Sequence, residues 1–399
     1  MRIAFVVQRY GKEVAGGAEV LARATAHALA SRGHHITVLT TTARDYLHWT
    51  PHYPEGTVSD GPVSVQRFDA DPADPMLASR LARKIALGWG DWDDEVRWAI
   101  AQGPVSGGLI AALKRAVEDY DVFVLWTYLY STTQLAMSLV ADRAVLVPLA
   151  HDEPMLRFRV TRGLMALASG FAFLTPEERR LVHEQHVMAP RPEEVVGAGL
   201  APAVRGDPAR VRGVLDLPDR FALYLGRIDP GKGIAALFRA HAAYRSAGGD
   251  LGLVLAGRAA DGVRVPSWVR QIGFVDEQTK ADLLAASDVL VLPSTNESLS
   301  LVLMEAWQAG CPTLATGQSD VLTGQSVRSG GGLTYCDDRD YARQLHRLST
   351  DSTLRERLST SGVAWAAGET WSKALDRWEA LLNQVIHRRG LSGPLSVTA

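Results

Sequence analysis

The segment FALYLGRIDPGKG, residues 221–233, decides the fold of this 399-residue chain. It begins with a short apolar run of the length and composition that fill a buried β-strand. A glycine-rich turn follows at once and ends at Gly233, after which a helix is predicted. A strand that passes through such a turn into a helix is typical of the opening of a Rossmann-like α/β domain.

The same alternation of strands and helices extends in both directions from this segment. Ile3–Val7, a glycine-rich turn, a helix that stops at Gly33 and the strand Ile36–Leu39 form one β-α-β unit, which implies parallel pairing. Residues 200–219 carry prolines and scattered charge, as linkers do, and the pattern restarts after them. The other predicted strands are Val63–Phe68, Asp121–Leu125, Ala144–Leu149, Phe171–Leu174, Glu194–Val196, Leu251–Ala256, Asp288–Leu292, Pro312–Ala315 and Leu333–Tyr335.

Two consecutive doubly wound sheets are the simplest account of this pattern. We therefore predict an α/β fold with two Rossmann-like domains, residues 1–199 and 200–370, facing each other across a cleft. The carboxyl ends of the strands would line that cleft, where ligands normally bind. The stretch Trp371 to His387 has apolar residues at helical spacing and predicts an amphipathic final helix.

Bulk composition narrows the class of protein. The net charge of −2 removes the electrostatic case for a nucleic-acid partner, and two cysteines indicate no disulfide framework. No apolar run reaches the ~18 residues that a membrane span needs, and the opening residues MRIAFVVQRY predict a strand rather than a signal peptide. We expect a cytoplasmic protein without a transmembrane segment. The basic amphipathic helix predicted at Leu77–Leu87 is most simply a solvated helix face, and contact of this helix with an acceptor or with a membrane surface stays open.

The turn at residues 226–233 carries the sharpest chemical signal. Gly226 opens it, and Arg227 and Lys232 place two cations in a flexible turn at the start of a helix, which suits a diphosphate. The turn nearly matches a P-loop, but Gly233 stands where the magnesium-binding hydroxyl of a P-loop would be. Phosphate binding without a metal is the favoured interpretation, and a purely structural turn is the alternative.

A second signal follows the strand Asp288–Leu292. The sequence predicts a helix that starts near Leu299, with Glu297 in the turn before it and Glu305 about 9 Å along its axis. The exposed N–H groups of the helix start suit an anion, and the two carboxylates suit ribose and sugar hydroxyls. The alternative is that Glu297 caps the helix and Glu305 faces solvent.

Two weaker signals lie in the first domain. Gly16 and Gly17 follow the first strand and would let a ligand approach the backbone closely. The segment is not G-x-G-x-x-G, which disfavours a dinucleotide oxidoreductase. His151 follows a predicted strand and precedes two acids, so a hydroxyl contact, a general base and a loop-capping role all stay open. No His or Cys pair nearby suggests a metal site.

Together these motifs resemble glycosyltransferase family 4, retaining enzymes of the GT-B fold, from Arg2 to about Leu382. The resemblance implies that Arg227 and Lys232 hold the donor diphosphate, that Glu305 binds the ribose and that Glu297 meets the transferred sugar. It also implies that the backbone of the helix start borders the phosphate and sugar. That backbone belongs to Leu299, Ser300 and Leu301. The resemblance further implies that His151 contacts a hydroxyl of the donor sugar and that the turn Gly16-Gly17 contacts the diphosphate. Catalysis is thereby assigned to Arg227, Lys232, Glu297 and His151.

The resemblance also implies the reaction and its partners. We expect metal-independent, retaining transfer of a hexose from a nucleotide sugar to an acceptor hydroxyl, with no cofactor. A UDP-sugar is favoured over a GDP-sugar, and the acceptor is a small molecule, a glycan or a lipid-linked sugar. The final helix, about 371–399, is expected to pack back on the first domain.

The chain departs from the family where Glu297-Ser298-Leu299-Ser300 replaces the usual Glu-Gly-Phe-Gly, which bears on the identity of the sugar. The run His151-Asp152-Glu153-Pro154, with residues 325–332, resembles a bacterial subset associated with cell-surface glycans or secondary metabolites. Two other functions stay open at this stage. One is a nucleotide-sugar epimerase of the same fold, and the other is a non-catalytic sugar-nucleotide-binding protein.

Overall fold

The computed structural model describes residues 1–14 and 16–391. The chain separates into two compact units, which we call the N-terminal and C-terminal units. The first comprises Met1–Ala198 and the described part of Ser372–Ala399, and the second comprises Gly199–Trp371. Each unit has its own sheet and its own apolar core. The prediction of an α/β chain with two doubly wound sheets is confirmed.

The N-terminal unit contains an eight-stranded sheet. Its strands are β1 (Arg2–Val7), β2 (His35–Thr41), β3 (Gly56–Asp60), β4 (Val63–Phe68), β5 (Val122–Trp126), β6 (Ala144–Val147), β7 (Gly170–Phe173) and β8 (Glu193–Val195). Its helices are α1 (Gly17–Ser31), α2 (Pro75–Ala86), α3 (Trp92–Gln102), α4 (Gly107–Ala116), α5 (Ser131–Val140), α6 (Arg159–Leu167) and α7 (Pro176–Gln185). The strand order is β3-β4-β2-β1-β5-β6-β7-β8, and the β3–β4 pair is antiparallel whereas the other pairs are parallel.

The C-terminal unit contains a six-stranded, fully parallel sheet. Its strands are β9 (Phe221–Leu225), β10 (Gly252–Ala256), β11 (Arg270–Gly273), β12 (Val289–Leu292), β13 (Thr313–Thr316) and β14 (Gly332–Tyr335), in the order β11-β10-β9-β12-β13-β14. Its helices are α8 (Pro208–Arg212), α9 (Ile234–Ser246), α10 (Glu277–Ala286), α11 (Leu301–Gln308), α12 (Asp320–Ser329), α13 (Asp338–Thr350) and α14 (Ser352–Ala366). The last helix, α15, spans Trp371–Leu391.

Strand β9 shows why the central strands are apolar along their whole length. All of its residues are buried, and they alternate between two separate apolar clusters. Ala222 and Tyr224 belong to one cluster, whereas Leu223 and Leu225 belong to the other. Because helices cover both faces of a parallel sheet, neither face of a central strand tolerates exposed polar residues.

Two strands, β3 and β11, were missed from the sequence. Both lie at the edge of their sheet, and none of their residues is fully buried. Edge strands in contact with solvent carry polar side chains, so the segments Gly56–Asp60 and Arg270–Gly273 lack the apolar run that marks a central strand.

Helix α15 packs within the N-terminal unit. Trp378 stacks on Trp126 at the end of β5, with ring centroids 6.3 Å apart. Arg32, which follows α1, lies 2.9 Å from Asp376 through its guanidinium. The helix extends beyond the predicted end at His387, and residues 392–399 of the predicted C-terminal segment lie outside the described part of the chain.

The strand order gives each sheet one place where consecutive connections leave in opposite directions. In the N-terminal unit this switch point lies between β1 and β5, and in the C-terminal unit it lies between β9 and β12. Side chains that follow these strands surround a natural crevice at the carboxyl edge, where open α/β sheets bind their ligands. No helix within residues 1–14 and 16–391 is both long and apolar enough to span a bilayer.

Candidate functional site

Glycines shape the turn that follows β9, and the side chain of a tyrosine in β9 hydrogen-bonds to the backbone of the turn. Gly226 has a φ of 146°, and the neighbouring Gly257 leaves no room for a side chain because an added Cβ would lie 1.8 Å from the Gly226 carbonyl oxygen. The hydroxyl of Tyr224 donates to the Arg227 carbonyl oxygen at 2.7 Å. The backbone of the cationic turn is therefore held by the Tyr224 hydroxyl and by the close approach of Gly257.

Gly233 brings the two predicted segments of the C-terminal unit into contact. It adopts the left-handed conformation, with φ 73° and ψ 17°, directly before α9. A Cβ at this position would lie 2.4 Å from the carbonyl oxygen of Pro293, the first residue after β12. Glycine is thus required both by the backbone angle and by the close approach of the second loop.

Lys232 and Glu297 form an ion pair across the switch point. The Lys232 Nζ lies 2.7 Å from Glu297 Oε1, and the side chains are 28% and 13% exposed. An ammonium group has three N–H donors and no acceptor, so the bond to Glu297 leaves Lys232 with donors for another anion. Arg227 is about half exposed and lies 3.5 Å from Asp229 Oδ2. Two cations and a carboxylate are therefore presented at the carboxyl edge of β9 and β12.

The start of α11 differs from the prediction. The helix begins at Leu301 rather than near Leu299, because the backbone of Ser300 is held in an extended conformation by Gln325. The Gln325 Oε1 accepts from the Ser300 N–H at 2.9 Å, and its Nε2 donates to the Ser300 carbonyl at 3.3 Å. Glu305 consequently lies about 6 Å along the axis from the first helical residue, not about 9 Å. No side chain of the N-cap residue covers the first N–H groups of the helix.

Glu305 has a partner that the sequence did not reveal. Lys280 Nζ lies 2.8 Å from Glu305 Oε1 and 2.7 Å from Glu277 Oε2. Burial raises the pKa of Glu305, although the charge of Lys280 opposes that shift. The expectation that Glu305 simply faces solvent is therefore wrong, since the carboxylate is two-thirds buried and ion-paired. Only the i, i+3 spacing of Glu277 and Lys280 was visible in the sequence.

In the N-terminal unit, the turn Gly16-Gly17 lies beside a buried ion pair. Glu19 accepts from Arg9 Nε at 2.9 Å and from Arg9 Nη2 at 2.6 Å, and both side chains are nearly inaccessible. A Cβ on Gly16 would lie 1.9 Å from Glu19 Oε2, whereas a Cβ on Gly17 would meet nothing within 4 Å. Gly16 is therefore needed by the ion pair, and Gly17 borders open space at the first turn of α1.

His151 lies in the loop after β6, close to acids that are themselves engaged. Its Nδ1 is 4.0 Å from Glu153 Oε1, which also accepts a very short hydrogen bond from the Tyr128 hydroxyl. The fully buried Glu178 holds the start of this loop, because it accepts from the N–H groups of Ala150 at 2.8 Å and Leu174 at 2.6 Å. Burial raises the pKa of Glu178 to about 7 against the lowering effect of those N–H groups. This supporting role of Glu178 was not predicted from the sequence.

Across the described ranges 1–14 and 16–391, no three His, Cys, Asp or Glu side chains are grouped so as to hold a metal ion. Two segments of the chain, Asp69-Ala70-Asp71 and Asp91-Trp92-Asp93, have the acidic D-x-D spacing, and both have local roles. Asp91 caps α3 in a capping box with Asp94, and Asp69 accepts from the Thr42 hydroxyl at 3.2 Å.

The geometry of the C-terminal unit agrees with a family match. Residues 219–351 match the model of the family described as glycosyl transferases group 1. That range begins just before β9 and includes the cationic turn, the Glu297 loop and α11. It covers a third of the chain.

The chain is similar to several curated glycosyltransferases over part of its length. It is 28% identical over 263 residues to the D-inositol 3-phosphate glycosyltransferase of Stackebrandtia nassauensis, a match that covers 60% of this chain and 59% of that protein. It is 30% identical over 258 residues to the protein of the same name from Streptosporangium roseum, covering 57% and 59% of the two chains. The chain thus spans less than two thirds of the length of these relatives.

Solved structures match nearly the whole chain. The sucrose-phosphate synthase of Thermosynechococcus elongatus superimposes with a TM-score of 0.72 over 98% of this chain and 99% of its own, at 18% identity. The chain has the GT-B fold. A second GT-B structure, Anabaena HepE in complex with UDP-glucose, gives a TM-score of 0.64 at 17% identity and covers 96% of this chain and all of its own. Together with the family match, the GT-B fold supports a glycosyltransferase family for this chain.

Proposed function

We propose that the chain is a retaining glycosyltransferase of family 4 that moves a hexose from a nucleotide diphosphate sugar to an acceptor hydroxyl. The observation that carries the proposal is the Lys232–Glu297 pair at the switch point of the C-terminal sheet. Cations bind a diphosphate, and a carboxylate accepts hydrogen bonds from the hydroxyls of a sugar. The pair presents both kinds of group, with Lys232 Nζ 2.7 Å from Glu297 Oε1.

The donor is held by groups of the C-terminal unit in this proposal. The free donors of Lys232 and the half-exposed Arg227 bind the diphosphate, together with backbone N–H groups at the start of α11. Glu297 accepts from a hydroxyl of the transferred sugar, and Glu305 accepts from the ribose. Gln325 acts indirectly, because its two bonds to Ser300 set the conformation of the backbone that borders the phosphate.

Breaking the anomeric C–O bond transfers negative charge to the diphosphate. Fixed cations and a helix start stabilise that charge more in the transition state than in the bound donor, which is the condition for a faster chemical step. We propose that these groups take the place of a metal ion. The acceptor hydroxyl then attacks on the face from which the diphosphate leaves and gives its proton to the departing diphosphate oxygen, so the anomeric configuration is retained.

We assign residues of the N-terminal unit to the same donor. Gly17, which borders open space, and Gly16 approach the diphosphate through their backbone. His151 donates to a sugar hydroxyl, with its loop supported by Glu178. No residue is assigned the role of a covalent nucleophile.

A UDP-sugar is the favoured donor. HepE of Anabaena binds UDP-glucose, and a trehalose-6-phosphate protein of E. coli with the same fold was solved with UDP-2-fluoro glucose, at a TM-score of 0.67 and 15% identity over 96% of this chain and 99% of its own. A GDP-sugar is the alternative that the test must separate. The acceptor class is a small molecule, a glycan or a lipid-linked sugar, and the setting is the bacterial cytoplasm.

The proposal is tested with the purified full-length chain. A thermal-shift screen against UDP-, GDP-, ADP- and dTDP-sugars identifies the nucleotide, and the stabilising donor is then incubated with candidate acceptors. Free nucleotide plus a glycoside that keeps the donor's anomeric configuration, read by NMR, supports the proposal. An isomerised donor without a glycoside would instead show an epimerase, and binding without any turnover would show a sugar-nucleotide-binding protein. A glycoside of inverted configuration would contradict the retaining mechanism.

A further inference from the structure

A polar cluster that the proposed donor site does not use lies at the carboxyl edge of the N-terminal sheet. Its centre is Arg67, near the end of β4, whose register partner in β2 is Thr40. Tyr10 lies just beyond β1, and Tyr53 lies in the connection between β2 and β3. The carboxyl edge of a parallel sheet is where ligands bind, so a polar cluster there has a functional position.

Arg67 is a buried cation without an acidic partner. Its surface is 8% exposed, and its guanidinium makes one hydrogen bond, from Nη2 to the Tyr10 carbonyl oxygen at 3.1 Å. The guanidinium lies 4.5 Å from the centre of the Tyr53 ring, a cation–π contact. No carboxylate within the described residues forms an ion pair with it. Burial lowers the pKa of Arg67, which reflects the cost of keeping this charge away from water.

The two acids whose charges act on Arg67 and Tyr53 are already engaged by other cations. Asp60 accepts from Arg23 at 2.7 and 2.9 Å and from His27 at 2.9 Å. Glu13, whose charge acts on Tyr53, lies 3.6 Å from the guanidinium of Arg44. Since each acid already has a cationic partner, the charge of Arg67 remains in excess at this edge.

The unpaired polar atoms of the cluster are mainly hydrogen-bond donors. Arg67 Nε, the Tyr53 hydroxyl and the Thr40 hydroxyl are buried and have no hydrogen-bond partner among the residues that the structure describes. The Tyr53 hydroxyl lies against the backbone of Gly11, where an added Cβ would be 2.6 Å away. Buried donors are normally paired, so this group of donors is suited to a partner that the chain itself does not supply.

We propose that Arg67, Tyr53 and Thr40 bind an oxyanion, a phosphate or carboxylate group, carried by the acceptor. A guanidinium matches the spacing of two oxygens on such a group, and the hydroxyls donate to the same or a third oxygen. The acceptor role rests on the proposed glycosyltransferase function, but the anion site itself stands on the geometry of the N-terminal unit alone.

The test measures anion binding where the donor site is disabled. Inorganic phosphate and, in a separate arm, acetate are titrated calorimetrically into the full-length Lys232→Ala chain and into the same chain with Arg67→Met. We expect one of the two anions to bind the first chain and to lose about tenfold or more in affinity with Arg67→Met. Arg80→Met removes an exposed arginine of α2 and should leave that affinity unchanged. Arg67→Lys, which keeps the charge but removes Nε, should also weaken binding and serves if the Met variant does not fold.

The two titrations, with phosphate and with acetate, identify the anionic group of the acceptor, and their results can also overturn the proposal. Binding of phosphate alone assigns a phosphate monoester, and binding of acetate alone assigns a carboxylate. If neither anion binds the Lys232→Ala chain, or if both Arg67 variants bind as well as it does, the cluster holds only water and the proposal is overturned. These results are independent of the donor, because consumption of a UDP-sugar by the unmodified chain is measured separately.

Discussion

Each unit places a cation–carboxylate pair near the carboxyl edge of its sheet, and the two units use these pairs differently. After β1, Arg9 and Glu19 are 8% and 4% exposed and bond to each other at two nitrogens. Lys232 follows β9 and Glu297 follows β12. Their side chains are 28% and 13% exposed and share one bond. The first pair is enclosed, and its further bonds, from Arg9 Nη1 to the Arg44 carbonyl oxygen and from Gln8 Nε2 to Glu19 Oε1, are also made within the protein. The second is accessible and keeps donors and acceptors for a ligand.

The difference shows that position at a switch point does not by itself create a binding group. Burial decides whether a charged pair serves the fold or a ligand, because a buried pair that loses one partner leaves an uncompensated charge. A partly exposed pair is screened more by water, so the loss of one partner costs less. The following predictions test this division of roles.

The largest expected effect is on stability, from the enclosed pair. Glu19→Ala leaves Arg9 buried without a counter-charge, so the free energy of unfolding should fall by about 3–5 kcal/mol. Denaturant unfolding of the full-length chain measures the change. Glu13→Ala, which removes an exposed carboxylate 3.6 Å from Arg44, is the control and should change stability by under ~1 kcal/mol. Equal effects of the two variants would show that the Arg9–Glu19 pair is not special.

The accessible pair should show the opposite behaviour. Lys232→Ala should lower kcat by about 10²–10³-fold, since it removes a fixed cation from the leaving group, while the unfolding transition changes little. Lys114→Ala removes an exposed lysine of α4 and should leave kcat unchanged. Near-normal turnover of Lys232→Ala, or a collapse of its unfolding transition, would remove Lys232 from its proposed role.

The free energy of unfolding should depend on pH through Glu178, the buried carboxylate that supports the loop after β6. Its pKa rises from 4.5 to about 7 on folding, so the unfolded chain releases this proton first as the pH increases. Between those values the folded state binds more protons, and stability therefore falls with rising pH, by on the order of 3 kcal/mol across the window. The melting temperature of the unmodified chain should fall relative to that of Glu178→Gln, which does not titrate, as the pH rises from 5 to 8. The same dependence of both melting temperatures on pH would contradict the assignment.

The smallest expected effect concerns Glu305. Glu305→Gln removes a charged acceptor for the ribose, so affinity for the free nucleotide should fall about tenfold while kcat changes less. Lys280 keeps Glu277 as its partner, which limits the structural damage. Unchanged nucleotide affinity in a calorimetric titration would exclude the ribose role.

The sequence predicted what depends on local patterns. Apolar runs gave the central strands, such as Phe221–Leu225, and the spacing of glycines and cations gave the turn at residues 226–233. Edge strands were missed because their polar segments resemble loops. The predicted start of α11 was wrong by two residues because the decisive contact, from Gln325 to Ser300, joins side chain and backbone across 25 positions. Lys280 and Glu178 were missed for the same reason, since tertiary packing alone brings them to their partners.

Binding of UDP and of uridine to the unmodified chain and to Lys232→Ala tests the central claim most directly. If the cationic turn binds the diphosphate, calorimetry should show that Lys232→Ala weakens UDP binding by about 10–100-fold. Binding of uridine, which has no diphosphate, should be unchanged. Equal losses for both ligands, or no loss for UDP, would contradict the claim.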